Sequence, residues 1–459
     1  MNDVKATEIV SNYIVNTKYE QLPARAVELA KAAFTDCLGV AVAGFGEELS
    51  RHILEYVKSN GGSDQATVYG CGLRTSVENA ALVNGAMAHA LDFDDWALTV
   101  HGHPSVYLVP GLIALAEKYG FGGKEIITAY AVGFETVALL PYYITQTWFD
   151  QGWHPTGVSG TLGSCAAACN IMGLSADKVK YAVGIACAEA AGIRANNGTM
   201  CKALHAGNAA MNGIKAAKLA DLGLDSCPNM LEVTRGFIKS FGYNEEPDWE
   251  EILKDLGKEY KLCGPRGLNI KPYPCCGGNN FAVEAVLQLK SDFDFNIADI
   301  KSIDMLVNPQ AHLALIYHDA KTGLQGKFCM EFIVARTLLY GPLTLADFTD
   351  DAVRDPAVRE LMKKCRWVVH YPMPSKDGNA DEFDPKGVTL YLKDGRVLTR
   401  ECFAHLGMPS RPMPKDIIEK KFRDCAGIYL PAGKIENCLE SLDKLEELDD
   451  INELTENLY

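Results

Sequence analysis

Apolar positions recur at helical spacing through most of the first half of the chain, and each run predicts a helix. From Pro23 to about Val42 Ala, Leu and Val crowd together, opened by a proline suited to a first turn and closed by Gly44, so a buried helix is expected. Thr75 and Glu78 have the spacing of a capping box ahead of a second helix, Val77 to Leu91, whose last turn carries His89. That helix delivers Asp92, Phe93, Asp94 and Asp95 into a loop. After the turn-like His101-Gly102-His103-Pro104, Val109 to Tyr119 reads as another helix.

Gly157 to Met172, Ala176 to Ile193 and Ala206 to Leu222 are rich in Gly, Ala and Ser, which lets helices approach closely. Near Leu262 to Gly278 the texture changes, with prolines at 265, 272 and 274 and the pair Cys275-Cys276. Beyond it, Ile303 to Val307 and Trp367 to His370 read as strands and Gly326 to Leu339 as a helix. Val388 to Leu398 reads as a hairpin across Asp394-Gly395. A charged helical tail runs from Lys415, and its acidic residues from Glu440 to Glu456 read as a solvated face and a frayed end. The expected fold is mainly α with an α+β insert. Residues 1–265 form the first part of a helical domain, 266–404 a smaller α+β lid domain, and 405–459 the return to the helical domain.

Composition narrows the function. A chain of 459 residues with 48% apolar content can bury a large core, and its length suggests about two domains. A net charge of −15 argues against nucleic acid or anionic lipid as partner, since both reward clustered Lys and Arg. Met1 to Lys5 does not read as a signal peptide, and charged or polar residues interrupt every apolar stretch before about 18 residues. A cytoplasmic location is the expectation. None of the fifteen cysteines forms Cys-x-x-Cys, so most read as small apolar fillers.

Five of the ten histidines fall between positions 89 and 205. Histidine titrates near neutral pH and can donate or accept a proton in catalysis, although a buried one can equally serve only to hydrogen-bond a helix end. Asp92, Asp94 and Asp95 with His101 and His103 offer carboxylates and imidazoles within one loop, a set that a metal could use. The alternative is that these carboxylates face helix N-termini or a lysine. Lys202, just before Leu204-His205-Ala206-Gly207-Asn208, stands where it could neutralise a carboxylate. No GxGxxG, Walker A or Gly-x-Ser-x-Gly pattern is present, so nucleotide chemistry and the common serine hydrolases lose their best markers.

The strings HALDFDDW (89–96), GHPS (102–105), WHPTGVSGTLG (153–163), GTMCKALHAGNAA (198–210), TRGFIKSFG (234–242), KPYPCCGG (271–278), KTGLQGKF (321–328) and RPMPKDIIEKKF (411–422) occur in one order along the chain. In that order they resemble the successive motifs of the MmgE/PrpD family, which includes 2-methylcitrate dehydratase, cis-aconitate decarboxylase and iminodisuccinate epimerase. The resemblance implies a helical domain with an inserted lid, a homodimer, a site in the cleft between domains, and neither metal nor organic cofactor. It implies Asp92, His103, His154, Lys202 and Tyr317 as catalytic residues, and Trp96, Thr199, His205, Lys271 and Cys276 as substrate contacts. Trp96 stands where relatives often carry a small hydroxyl residue. Cys276 falls in a stretch where relatives place an arginine or a histidine.

These residues also make chemical sense together. Loss of water, loss of carbon dioxide and epimerisation beside a carboxylate all pass through an electron-rich, enolate-like centre, which needs a proton carrier and fixed positive charge. His103 and His154 would carry protons, Lys202 would hold a carboxylate, and Asp92 would orient a histidine or the lysine. The expectation is a cofactor-independent lyase, a dehydratase or decarboxylase, acting on a small anionic di- or tricarboxylate. An epimerase, or a non-catalytic relative of the same fold, is the alternative.

Overall fold

The computed structural model describes residues 4–370 and 386–459. They are mostly helical, with small sheets, and the chain divides into two compact units. The first comprises Met1–Ala195, Met200–Ile270 and Met413–Tyr459, and the second Asn196–Thr199 and Lys271–Pro412. Among the described residues no single helix is long and apolar enough to cross a membrane.

In the first unit, helix Ala24–Gly44 is buried at every position from Phe34 onward, a run of small and apolar residues interrupted only by Thr35 and by Asp36, which faces Lys421. It starts directly after Pro23. Gly44 owes its identity to packing, because a Cβ there would sit 2.1 Å from the Met87 carbonyl oxygen of helix Val77–Ala90. That second helix is capped by Ser76, whose hydroxyl accepts from Asn79 N at 3.3 Å, and not by the expected Thr75 box. Thr75 is instead paired to Ala66 in a short antiparallel ladder.

Helices Val77–Ala90, Ser105–Tyr119, Pro155–Ile171 and Met200–Asp221 pack on one another. Glycine makes the closest approach: a Cβ on Gly207 would lie 2.2 Å from the Leu82 carbonyl oxygen, and one on Gly85 only 3.0 Å from Gly207 Cα. Two helices begin earlier than the sequence pattern suggests. Ser105–Tyr119 starts ahead of Val109 because Asp95, in the preceding loop, accepts from Ser105 N at 3.2 Å. Met200–Asp221 starts ahead of Ala206, so Lys202 and His205 lie in its opening turns.

Helix Lys415–Ala426 returns against Ala24–Gly44, with the Phe422 ring close to Gly39. The end of the chain is not frayed as expected. Leu445, Ile451, Leu454 and Leu458 are fully buried, and the carbonyls of Leu448 and Leu458 accept from Gly123 N and Gly70 N at 2.8 Å each. Apolar residues spaced among the acidic ones supply that anchor.

The second unit holds a four-stranded sheet in the order Cys365–Val369, Ile300–Val307, Gly387–Leu392, Val397–Glu401. The first pair is parallel and the others antiparallel. Gly395, at φ 92, turns the final hairpin. Ile303, Met305 and Leu390 share a core with Phe281 and Val286 of helix Gly277–Asp292 and with Phe332 and Val334 of helix Met330–Tyr340. The latter helix begins at Met330 rather than Gly326, which ends a separate short turn, Gly323–Gly326.

Candidate active site

The loop that follows helix Val77–Ala90 turns sharply at Asp92. Asp92 and His101 are the two non-glycine residues with positive φ among those described, both at 50°. Aspartate tolerates this region better than most residues. Lys421, from the returning C-terminal helix, holds the loop: its ammonium donates to the Phe93 carbonyl at 2.7 Å, lies 3.8 Å over the Phe93 ring and stands 2.6 Å from Asp36 Oδ1. Asp95 is tied down at the other end. Its carboxyl accepts from Ser105 N and the Ser105 hydroxyl, and the latter also lies 2.9 Å from Tyr130 OH. Burial raises the Asp95 carboxyl to about 8, against the lowering effect of those hydrogen bonds.

His103 Nδ1 lies 2.7 Å from the Asp95 carbonyl oxygen and 2.8 Å from Asp94 Oδ2. A carbonyl oxygen can only accept, so Nδ1 carries the hydrogen and Nε2 is the lone-pair nitrogen of the neutral ring. His103 N in turn donates to Thr156 Oγ1 at 3.2 Å. Asp94 Oδ2 also stands 2.9 Å from Nδ1 of His89, so one carboxylate oxygen serves two imidazoles. His89 is buried, and its Nε2 has no hydrogen-bond partner among the described residues. Burial holds His89 down to about 3, against the opposing pull of Asp94.

His154 precedes Pro155 at the start of its helix, with its backbone N donating to the Gly192 carbonyl at 3.0 Å. Its Nδ1 meets Nδ1 of His205 at 3.0 Å. Burial, and after it the Lys202 charge, keeps His154 well below its ordinary value and His205 at about 4, so both rings are neutral at pH 7. Lys202 Nζ stands 3.0 Å from Asp92 Oδ1, with both side chains largely buried. The His89 ring lies 4.6 Å from that of His103 and 6.0 Å from that of His154, nearly parallel to the latter.

The first unit therefore brings together Asp92, His103, His154, Lys202 and His205, and adds His89 and Asp94 to them. One donor atom from each of His89, Asp92, Asp94 and His103 lies within 4.8 Å of the others, a spacing that a metal ion could use. Contacts within the protein already engage these residues, since both Nδ1 atoms face Asp94 and Asp92 faces an ammonium. Trp96 sits beside this loop in a short strand, half-buried, where its carbonyl accepts from Asn269 Nδ2 at 3.2 Å. His101 is occupied with packing: its ring stacks 4.8 Å from Phe149 and 5.1 Å from Tyr142.

The other candidates belong to the second unit. Tyr317 OH donates to the Asn197 carbonyl at 3.1 Å, and its ring rests against Gly198, where φ is 77° and a Cβ would intrude to 2.4 Å. Thr199 is exposed, its hydroxyl donating to the Asn196 carbonyl at 2.8 Å. Lys271 is fully buried. Cys276 is half-buried at the start of helix Gly277–Asp292, where its N donates to the Lys327 carbonyl at 3.1 Å.

Sequence reasoning passed over His89 and Lys421 as site residues and weighed Asp94 as a metal ligand or as a carboxylate facing a helix N-terminus or a lysine. All three stand inside strings already singled out, HALDFDDW and RPMPKDIIEKKF. Position within those strings was the available signal.

Comparison with known proteins matches residues 8–250 to the MmgE/PrpD N-terminal domain and residues 273–446 to the MmgE/PrpD C-terminal domain. The chain is 30% identical to cis-aconitate decarboxylase of Mus musculus, over 98% of this chain and 92% of the relative. Its identity to the Homo sapiens cis-aconitate decarboxylase is 29%, over 98% and 93%. With 2-methylcitrate dehydratase of Cupriavidus necator it shares 25% identity, over 83% of this chain and 81% of that protein. This chain belongs to the MmgE/PrpD family.

Proposed function

We propose that this chain is a cofactor-independent lyase acting on a small di- or tricarboxylate of the aconitate or methylcitrate type, with release of carbon dioxide as its reaction. The observation that carries this reading is the contrast between its two central histidines. His103 faces the Asp94 carboxylate, which stabilises a positively charged ring, whereas His154 lies among burial and the Lys202 charge, which keep it neutral. Opposed environments of this kind separate an acid from a base.

In decarboxylation the bond from carbon to the departing carboxylate breaks, and its electron pair stays on carbon, spread into the neighbouring unsaturated carboxylate. A proton from the His103 imidazolium then closes that carbon, and the neutral His154–His205 pair relays the replacement proton to His103. Lys202 neutralises a retained carboxylate, and Asp92 holds the ammonium in place. The two cis-aconitate decarboxylases are more similar to this chain than the 2-methylcitrate dehydratase reported above, which favours carbon–carbon cleavage. That dehydratase also covers most of the chain and supports a second reading, loss of water. There a neutral histidine takes the proton beside the carboxylate and an imidazolium protonates the leaving hydroxyl.

The test is incubation of the purified protein with cis-aconitate, 2-methylcitrate, citrate and an aspartate-derived diacid, read by mass spectrometry and chiral separation. Loss of carbon dioxide from cis-aconitate is expected. Loss of water would select the second reading, a change of chirality at constant mass would make the chain an isomerase, and no turnover of any would refute the proposal. We further propose a homodimer joined through the first unit. Light scattering at micromolar concentration checks this.

A further inference from the structure

We infer that Asp94 is a positioning residue: one of its oxygens lies against Nδ1 of both His103 and His89, so it orients the His103 ring and stabilises its cation, while the Asp95 carbonyl keeps the hydrogen on Nδ1 and leaves Nε2 as the proton-carrying nitrogen. This rests on the reading of His103 as a proton carrier and extends it to a fully buried carboxylate.

Three observations converge. Two acceptors of different kinds, the Asp95 carbonyl and the Asp94 carboxylate, meet the same nitrogen at 2.7 and 2.8 Å, so the alternative tautomer would put a lone pair against both. His89 holds the same oxygen at 2.9 Å from the other side, and the buried, neutral His89 ring has a single hydrogen, which this contact places on Nδ1. Asp95 contributes only its carbonyl, since its carboxyl is engaged by Ser105. Asp94, with an oxygen 2.8 Å from Nδ1, is therefore placed to balance a charged His103, whereas Asp92 faces the Lys202 ammonium. The charged or titratable groups around it are Asp94, His89, His154 and the Lys202–Asp92 pair, and of these Lys202 opposes a charged ring while Asp94 favours it. A carboxylate that orients an imidazole and stabilises its cation acts on the rate more than on binding.

The test compares Asp94→Asn, which keeps shape and removes charge, with His103→Gln and the unaltered protein. Two readouts are taken: steady-state kinetics on the substrate that the unaltered protein turns over, and the pH dependence of His103 carbethoxylation by diethyl pyrocarbonate, mapped by peptide mass spectrometry. In folded Asp94→Asn, kcat should fall at least about tenfold with KM within about twofold. The midpoint of His103 modification should move to lower pH by about one pH unit or more, because the cationic ring has lost its anion. An unchanged midpoint and unchanged kcat in Asp94→Asn, with His103→Gln inactive, would overturn the inference and leave the proton-carrier reading standing. Normal turnover by His103→Gln would instead defeat that reading, and the modification midpoint alone would then decide the role of Asp94. Should Asp94→Asn fail to fold, Asp94→Ala, which removes the carboxylate without adding a donor, takes its place under the same criteria.

Discussion

Nδ1 of His154 and Nδ1 of His205 face each other at 3.0 Å, so one ring must donate and the other accept. The two hold opposite tautomers. A proton taken up on the outer nitrogen of the donor ring would release the shared hydrogen to its neighbour, so the proposed function predicts that the pair acts as one carrier. His205→Gln should therefore slow turnover, and the double variant with His154→Gln should be no slower than the worse single variant by more than about twofold. Multiplying, independent effects in this double-mutant cycle would show that the rings act separately.

Lys202 and Asp92 lead to a different kinetic signature. Their contact at 3.0 Å, away from bulk water, leaves Lys202 as the fixed cation among the neutral rings of His89, His154 and His205. In the proposed function Lys202 holds a carboxylate in ground and transition states alike, so in Lys202→Ala KM should rise along with any fall in kcat. A fall in kcat at constant KM would assign Lys202 to the chemical step instead.

Lys421 links the C-terminal return to the Asp92 loop through Asp36 and the Phe93 carbonyl. Lys421→Met should cost about 3 to 5 kcal/mol of stability, because it removes the cation that faces the buried Asp36 carboxylate. Asp36→Leu combined with Lys421→Met should recover much of that loss. Urea denaturation of both variants measures it, and an equal loss in the double variant would mean that the pair is not the source.

The second unit has its own pH-sensitive group. His405 is fully buried, its Nδ1 donates to the Leu406 carbonyl at 2.7 Å, and burial holds it to about 4. An unfolded histidine binds its proton below about 6.5, so acid favours the unfolded chain. The contribution of His405 is complete above that value and is lost as pH falls from about 6.5 towards 4. The stability difference between the unaltered protein and His405→Asn should shrink across that window on acidification and stay flat above it. A difference independent of pH would contradict the assignment.

The helices were legible where small and apolar residues run at helical spacing, as in Ala24–Gly44, because burial on all sides leaves few other compositions possible. Their starts were less so. The cap of Ser105 comes from Asp95 across a loop, and the early start of Met200–Asp221 has no local signal ahead of it. Asp92, His103, His154 and Lys202 could be singled out from their strings, and the structure brings them together. The shared carboxylate of Asp94 could not be read in advance. It depends on the left-handed turn at Asp92 and on His89 arriving from the preceding helix, both of them tertiary facts.

The central claim is that His103 and His154 carry protons in a lyase reaction. The most direct measurement is the turnover of His103→Gln and His154→Gln on the acid that the unaltered protein converts, with folding verified by circular dichroism. Each variant should lose about a hundredfold or more in kcat with a smaller change in KM. Near-normal turnover by both, in folded protein, would show that the two histidines are structural and that the account of this site is wrong.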